Sequence, residues 1–323
     1  MRKFMLSGKR IWVAGHAGMV GRSVVRALES LDEKASADIL TIGRQDLDLR
    51  DQAAVTLWMN DHRPDMIVLA AATVGGIADN AARPADFLYD NLMIEANIIH
   101  QAFRQNVEKL LFLGSSCIYP REAVQPLVPE ALLTGALEPT NEAYALAKIA
   151  GIKLCQAYNR QENCRFISAM PCNLYGPYDR FDEQRSHVIP ALMLRMHKAK
   201  QRGEASLKIW GTGKPLREFL HVDDLARALI FLLEHHEGDA PVNIGSGQEV
   251  SITDLAQLMA DITGYDGDIL FDPHTPDGTP RKILDSSLMK SYGWQPALDL
   301  ERGLRETYGW FCHHEQTICK RAA

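Results

Sequence analysis

A chain of 323 residues is more than one core usually holds and short for three domains, so two coupled lobes are the expectation. Apolar residues make up 46% and charged residues 24%, which supplies a core and excludes a disordered chain. A formal charge of −6 excludes the field that gathers nucleic acid or an anionic membrane, so any phosphate site must be local.

Basic residues Arg2, Lys3, Lys9 and Arg10 look like the charged start of a signal peptide, but the apolar run behind them, Ile11 to Gly15, is too short for one. The run Met66 to Ala72 falls far below the ~18 residues of a membrane span. A cytoplasmic protein with no membrane partner is expected. Cysteines at 117, 155, 164, 172, 312 and 319 form no Cys-x-x-Cys pair, which excludes a zinc ribbon or disulfide scaffold. Cys312, His313 and His314 with Cys319 can be read as metal ligands or as part of a solvated C-terminal helix; the second reading is adopted and no metal is assigned.

In chain order, Ile11 to Ala14 reads as a strand, the glycines at 15, 18 and 21 as a tight turn, and Val24, Val25 and Leu28 as the apolar face of a helix. Strands over 38–43, 66–72, 109–113 and 165–170 alternate with helices over 52–60, 90–104 and 144–158. This rhythm demands a parallel sheet with right-handed crossovers. Beyond Pro177 it breaks, leaving one helix over 188–200. A helix opened by His221-Val-Asp-Asp and ending near Leu233, then a strand over 242–245, are expected to return to the sheet. The remainder alternates helix, short strand and loop, with Pro273, Pro276 and Pro280 fixing an irregular stretch. The fold class is therefore α/β, a Rossmann-type doubly wound parallel sheet with a second, smaller α/β substrate domain. Residues 1–177 with 218–247 form the nucleotide-binding part; 178–217 and 248–323 form the other.

Gly15-His-Ala-Gly18-Met-Val-Gly21 either brings a pyrophosphate against a helix N-terminus or is a plain glycine-rich turn. Arg44, at the end of the second strand, either grips the 2′-phosphate of NADP through its guanidinium or is a solvated loop residue. Asp48 either accepts from an adenine amino group or forms a turn. Ser115 stands at a strand end, and Tyr144 and Lys148 share one helix face at i and i+4, so an ammonium can stabilise a phenolate near neutral pH. If the strand continues past Gly114, Ser115 and Cys117 point to one side and Ser116 to the other. Cys117 is then either an acid/base or a small buried hydrophobe. His187 is either its counterpart or a helix cap. Trp210 reads as a sheet aromatic, and Arg195 and Arg217 as solvated.

The stretches GHAGMVG, LAAATVGGI (69–77), GSSCIYP (114–120), EPTNEAYALAK (138–148), MPCNLYGP (170–177), SHVIPAL (186–192), REFLHVDD (217–224) and PDGTPRK (276–282) cover nearly the whole chain. Together they resemble the extended short-chain dehydrogenase/reductases and, within them, the GDP-L-fucose synthase family. The resemblance implies a 3,5-epimerase and NADPH-dependent 4-reductase acting on GDP-4-keto-6-deoxy-D-mannose, working as a homodimer. It implies hydride chemistry at Ser115, Tyr144 and Lys148 and epimerisation by Cys117 and His187. It implies an NADP site formed by Gly15, His16, Gly18, Met19, Val20, Gly21, Arg44, Asp48, Leu49, Ala71, Ala72, Lys148, Pro171, Asn173, Leu174 and His187. Sugar-nucleotide contacts are implied for Arg195, Trp210, Arg217, Asp277 and Lys282. Many family members carry an arginine after Gly15-His16 where this chain has Ala17, so Arg44 must carry more of any NADP preference. A nucleotide-sugar 4-epimerase or 4,6-dehydratase is the nearest rival, although dehydratases commonly place an acidic pair where this chain has Ser116-Cys117. A non-catalytic NADP sensor would need neither Ser115 nor Tyr144 nor Lys148.

Overall fold

Short apolar runs buried on both faces form the centre of the fold, as parallel strands covered by helices require. β1 (Arg10–Ala14), β3 (Met66–Leu69), β4 (Lys109–Leu113) and β5 (Phe166–Pro171) lie between β2 (Asp38–Leu40) and β9 (Val242–Ile244). They make one six-stranded, all-parallel sheet of order β2-β1-β3-β4-β5-β9 in the computed structural model, which describes residues 3–31, 36–183, 185–275 and 277–322, with 319–322 in backbone only. Pro276 of the irregular stretch, and the side chain of Cys319, lie outside the described residues. The chain leaves β1 for β2 on one side and continues to β3 on the other, which opens a crevice at the strand ends where nucleotides bind in such sheets.

The helices that cover the sheet are marked by their ends. α1 (Met19–Glu29) follows the glycine turn, and α2 (Gln52–His62) is capped by Asp51, whose carboxylate accepts from the Ala54 N–H at 3.0 Å. The short α3 (Ile77–Ala82) precedes α4 (Pro84–Arg104), which starts before the expected 90 because Pro84 takes the first helical position, where its missing N–H costs nothing. α5 (Glu142–Glu162) packs along α4, and α7 (Val222–His235), with His221 accepting from the Asp223 N–H, packs on α1.

β6 (Asn173–Tyr175), β8 (Leu216–His221), β10 (Glu249–Ser251) and β12 (Arg281–Lys282) make a second sheet in which β8 is central, so the REFLH run lies outside the six-stranded sheet that β9 extends. β7 (Ser206–Trp210) and β11 (Asp268–Asp272) pair separately. α6 (Val188–Arg202), α8 (Ile252–Thr263) and α10 (Leu300–Ala322) bury a core of their own, with Met193, Met196, Met259 and Phe311 fully enclosed, while α9 (Ser287–Ser291) lies against β9. Each such side chain contributes about 1.5–3 kcal/mol by leaving water, so both cores are substantial. Among the described residues, no helix is long and apolar enough to cross a membrane.

Candidate active site

β1 passes into α1 through Gly15, whose φ is +91°. A Cβ there would stand 2.6 Å from the Ala71 nitrogen, and one on Gly21 would stand 2.2 Å from the Gly15 carbonyl oxygen, so only glycine allows this close approach. Gly18 caps α1 without a side chain, which leaves the first-turn N–H groups around Met19 and Val20 aimed at the crevice without a capping acceptor. His16 Nδ1 is buried and unpartnered beside them. A cradle that a Cβ would fill, an uncapped helix start and an orphaned ring nitrogen fit the diphosphate of a dinucleotide.

The rest of that cleft is held by polar struts. Buried Asn91 on α4 accepts from the Thr73 N–H at 2.9 Å and donates to the Thr73 carbonyl at 3.0 Å, pinning the loop that carries Ala71 and Ala72. Asn97 donates to the Leu49 carbonyl at 3.0 Å. Of the two readings of Asp48, the structure favours the turn: its carboxylate accepts the Arg50 N–H and guanidinium, and Arg50 reaches on to Asp90 at 2.9 Å. These contacts lower Asp48 to about 2. Arg44 is exposed and close enough to Asp48 to act on it. Pro171 ends β5 and Asn173 and Leu174 open β6, with Asn173 Nδ2 donating to the Glu218 carbonyl at 2.9 Å.

One expectation is corrected at the catalytic turn. β4 ends at Leu113, and Ser116–Ile118 is a turn of 3₁₀ helix, so strand alternation does not align Ser115 with Cys117. The two are brought together by the turn itself, in which the Cys117 N–H donates to Ser115 Oγ at 3.4 Å. Lys148 also has a partner that the sequence does not show. Its ammonium lies 5.7 Å from the centre of the Tyr144 ring but pairs with Glu95 of α4 at 2.9 Å and donates to the Leu113 carbonyl at 3.1 Å. Burial holds the Tyr144 hydroxyl well above its ordinary pKa, and Cys117 and Glu95 push the same way.

Cys117, Asn141, Glu138, Gln125, Thr279 and Lys282 line a cavity of about 40 Å³, enough for a water. Burial pushes the Cys117 thiol up and the Lys282 charge opposes it; burial and the same lysine push the His187 imidazole down. His187 is the N-cap of α6 by its backbone alone, its ring makes no capping bond, and it is open to solvent although cleft walls crowd it. The LAAATVGGI loop seats this segment: the Gly76 N–H donates to the Arg185 carbonyl at 3.0 Å, and a Cβ on Gly76 would stand 2.7 Å from the Ser186 oxygen.

Trp210 ends β7 with 61% of its surface exposed. Arg195 donates to the Lys208 carbonyl and Arg217 to the Leu216 carbonyl at 2.9 Å, and burial lowers both guanidinium groups. Asp277 is engaged: it accepts from the Thr212 N–H at 2.6 Å and hydroxyl at 2.8 Å, fixing the loop after Trp210. Cys155, Cys164 and Cys172 are raised by burial, as packed thiols are. Along α10, the rings of His313 and His314 bond to the carbonyls of Gly309 and Trp310, and among the described residues no group of His, Cys, Asp or Glu is placed to hold a metal.

Asn91 and Glu95 were not singled out in the sequence. Their signal was available: both fall on the buried face of α4 four residues apart, where a polar side chain needs a partner.

A glycine cradle at a strand switch point, with Ser115 just past the end of β4 and Lys148 packed near Tyr144 on α5, marks a nicotinamide-dependent oxidoreductase of the short-chain type. The chain belongs to the NAD dependent epimerase/dehydratase family, whose sequence profile matches residues 11–245. Within that family it is 53% identical over 311 residues to GDP-L-fucose synthase of Sinorhizobium fredii, covering 96% of this chain and 98% of that one. It is 52% identical over 312 residues to GDP-L-fucose synthase 1 of Arabidopsis thaliana, covering 97% and 95%. The crystal structure of a GDP-L-fucose synthetase from Naegleria fowleri bound to NADP superposes with a TM-score of 0.90 at 28% identity, covering 98% of each chain.

Proposed function

We propose that this chain is a bifunctional enzyme, a 3,5-epimerase and NADPH-dependent 4-reductase that converts GDP-4-keto-6-deoxy-D-mannose to GDP-L-fucose. The observation that carries the reading is the turn that joins Ser115 to Cys117, close enough to Tyr144 for the thiol to act on its hydroxyl: a hydride-transfer site with a thiol built into it.

NADPH, when bound, supplies the hydride for C4. Gly15, Gly18 and Gly21 receive its diphosphate, with His16, Met19, Val20, Ala71, Ala72, Pro171, Asn173 and Leu174 around it. Ser115 and Tyr144 orient the ketone oxygen, and the Tyr144 hydroxyl gives it a proton as the carbonyl becomes an alcohol. Before that, the C4 ketone acidifies the hydrogens on C3 and C5. Inverting each centre needs a base on one face of the ring and an acid on the other, and Cys117 and His187, from separate segments, supply that pair. In the resting site the pair's single proton belongs on sulfur, since burial raises the thiol and lowers the imidazole. Moving it to the imidazole leaves a thiolate beside Lys282, which removes the carbon-bound proton while His187 returns one. Arg195, Arg217 and Lys282 offer charge to the diphosphate and Trp210 a flat face to guanine, with Asp277 shaping the loop between them.

This reading divides the chain into a cofactor-binding part, 1–177 with 218–247, and a sugar-nucleotide-binding part, 178–217 and 248–323. The cytoplasm is the expected compartment, because GDP-sugar and NADPH are both too polar to cross a bilayer. A homodimer through α4 and α5 belongs to the same reading: Tyr89 is 61% and Leu146 44% exposed on neighbouring helices, an apolar face that a second copy would cover. Leu146→Glu is expected to yield monomer where the unaltered chain is dimeric, measured by light scattering.

Incubation with GDP-4-keto-6-deoxy-D-mannose and NADPH, following cofactor absorbance and product stereochemistry, tests the function. Net NADPH consumption separates it from a 4-epimerase or 4,6-dehydratase, which recycle a tightly held cofactor. NADPH is expected to be preferred over NADH in kcat/KM because of Arg44, and Arg44→Ala is expected to narrow the preference by about tenfold, the scale of one charge-assisted contact. Equal kcat/KM values for the two cofactors would remove Arg44 from the 2′-phosphate.

A further inference from the structure

Lys148 and Glu95 are each only 2% exposed and stand 2.9 Å apart in the wall between α5 and α4. A buried carboxylate there is costly unless something requires it. The chain makes room for it: Gly151 lies in the interior of α5, where glycine costs about 1 kcal/mol relative to alanine, and a Cβ on it would stand 2.7 Å from Glu95 Oε2 and 2.5 Å from the Phe112 ring. Neither Glu95 oxygen has another hydrogen-bonding partner among the described residues. The carboxylate therefore serves the lysine alone, and the lysine is the one expected to stabilise a tyrosinate.

We propose that Glu95 is a positioning residue that acts through Lys148: by holding the ammonium against α4 and balancing its charge, it keeps Tyr144 a proton donor, the form that ketone reduction consumes. An enzyme that recycles its nicotinamide needs a tyrosine able to act as base as well as acid; a net reductase needs the acid. The groups facing Tyr144 are consistent with this. From the catalytic turn comes Cys117, from α4 Glu95, from α5 Lys148, and Phe87 packs edge-on at 6.3 Å. Glu95 in turn faces Lys148, Tyr144 and Cys155. Of these only Lys148 is a cation, and Glu95, whose carboxyl is pushed up by burial and pulled down by the lysine, stands against it at 2.9 Å. Burial and both neighbouring acids then hold the phenol protonated. The proton it gives to the C4 oxygen is replaced from solvent after the alcohol forms, so the step balances with NADPH as the only reductant.

The inference rests on Tyr144 as the proton donor, and its test is made independent of the substrate. Glu95→Gln keeps the shape and removes the charge, while the Leu113 carbonyl and the Phe112 face, 4.8 Å from the ammonium, still hold Lys148. Titration of the ultraviolet tyrosinate band, in Glu95→Gln with and without Tyr144→Phe, isolates Tyr144 from the other tyrosines. Its ionisation is expected about one to three pH units lower in Glu95→Gln than in the unaltered chain, the effect of a newly unopposed charge at this range. The alkaline loss of kcat for reduction should move down with it. Should Glu95→Gln fail to fold, Glu95→Asp, whose carboxylate stands farther from the lysine, is expected to shift in the same direction by less. An unmoved Tyr144 titration in the folded variant overturns the inference, whatever the substrate. Failure to reduce the 4-keto sugar overturns the proposed function and leaves the titration standing.

Discussion

Tyr144→Phe is expected to lose reduction of the 4-keto sugar by about 10²–10⁴-fold, the usual contribution of a positioned general acid. The hydroxyl makes no hydrogen bond among the described residues, and the ring's edge-on contact with Phe87 survives the change, so the fold should be untouched. NADPH binding should persist as well, because the glycine cradle and Lys148 do not depend on the hydroxyl. The experiment is a single-turnover measurement of hydride transfer alongside a fluorescence titration of NADPH. Deuterium exchange at C3 and C5 should continue in the variant, since the proposed function gives those protons to Cys117 and His187 before the hydride moves. Normal reduction in Tyr144→Phe would take the serine, tyrosine and lysine out of the chemistry.

What could be read in the sequence was what depends on local periodicity. The strand at Lys109 to Leu113 lies where the apolar run ends, and the glycine turn after β1 is what close approach of three backbones demands. Boundaries set by a single residue were harder: Pro84 extends α4 by six positions beyond the expected 90, and Ser115 converts the end of β4 into a turn by accepting from the Cys117 N–H. The partners of polar side chains were not legible, because they join distant segments. Lys148 shares a helix face with Tyr144, and periodicity alone assigns its charge to the phenol; only the packing of α4 on α5 reveals Glu95 as its closer partner. The bond from the Arg50 guanidinium back to Asp48 is likewise not legible in the pattern of residues.

Cys117→Ser is expected to separate the two activities. On the proposed function carbon-bound protons move before a hydride does, and the thiol that follows Ser115 is the group to which that reading assigns them. The substitution replaces a group with a reference pKa of about 8.5 by a hydroxyl far too weak as a base, at nearly constant volume. Burial raises the thiol from that reference and Lys282 counters it. Exchange of solvent deuterium into C3 and C5 should drop by about 10²–10⁴-fold, as for loss of any positioned base. Ser115, Tyr144 and Lys148 are left in place, so C4 reduction should survive. The unepimerised ketone is then reduced to a GDP-6-deoxyhexose that keeps the manno-side configuration at C3 and C5. Proton NMR in D₂O of both enzymes reads exchange and stereochemistry together. Undiminished exchange in the variant would leave Cys117 a packed hydrophobe, and the base for both epimerisations would have to be sought at His187 or at Lys282 across the cavity.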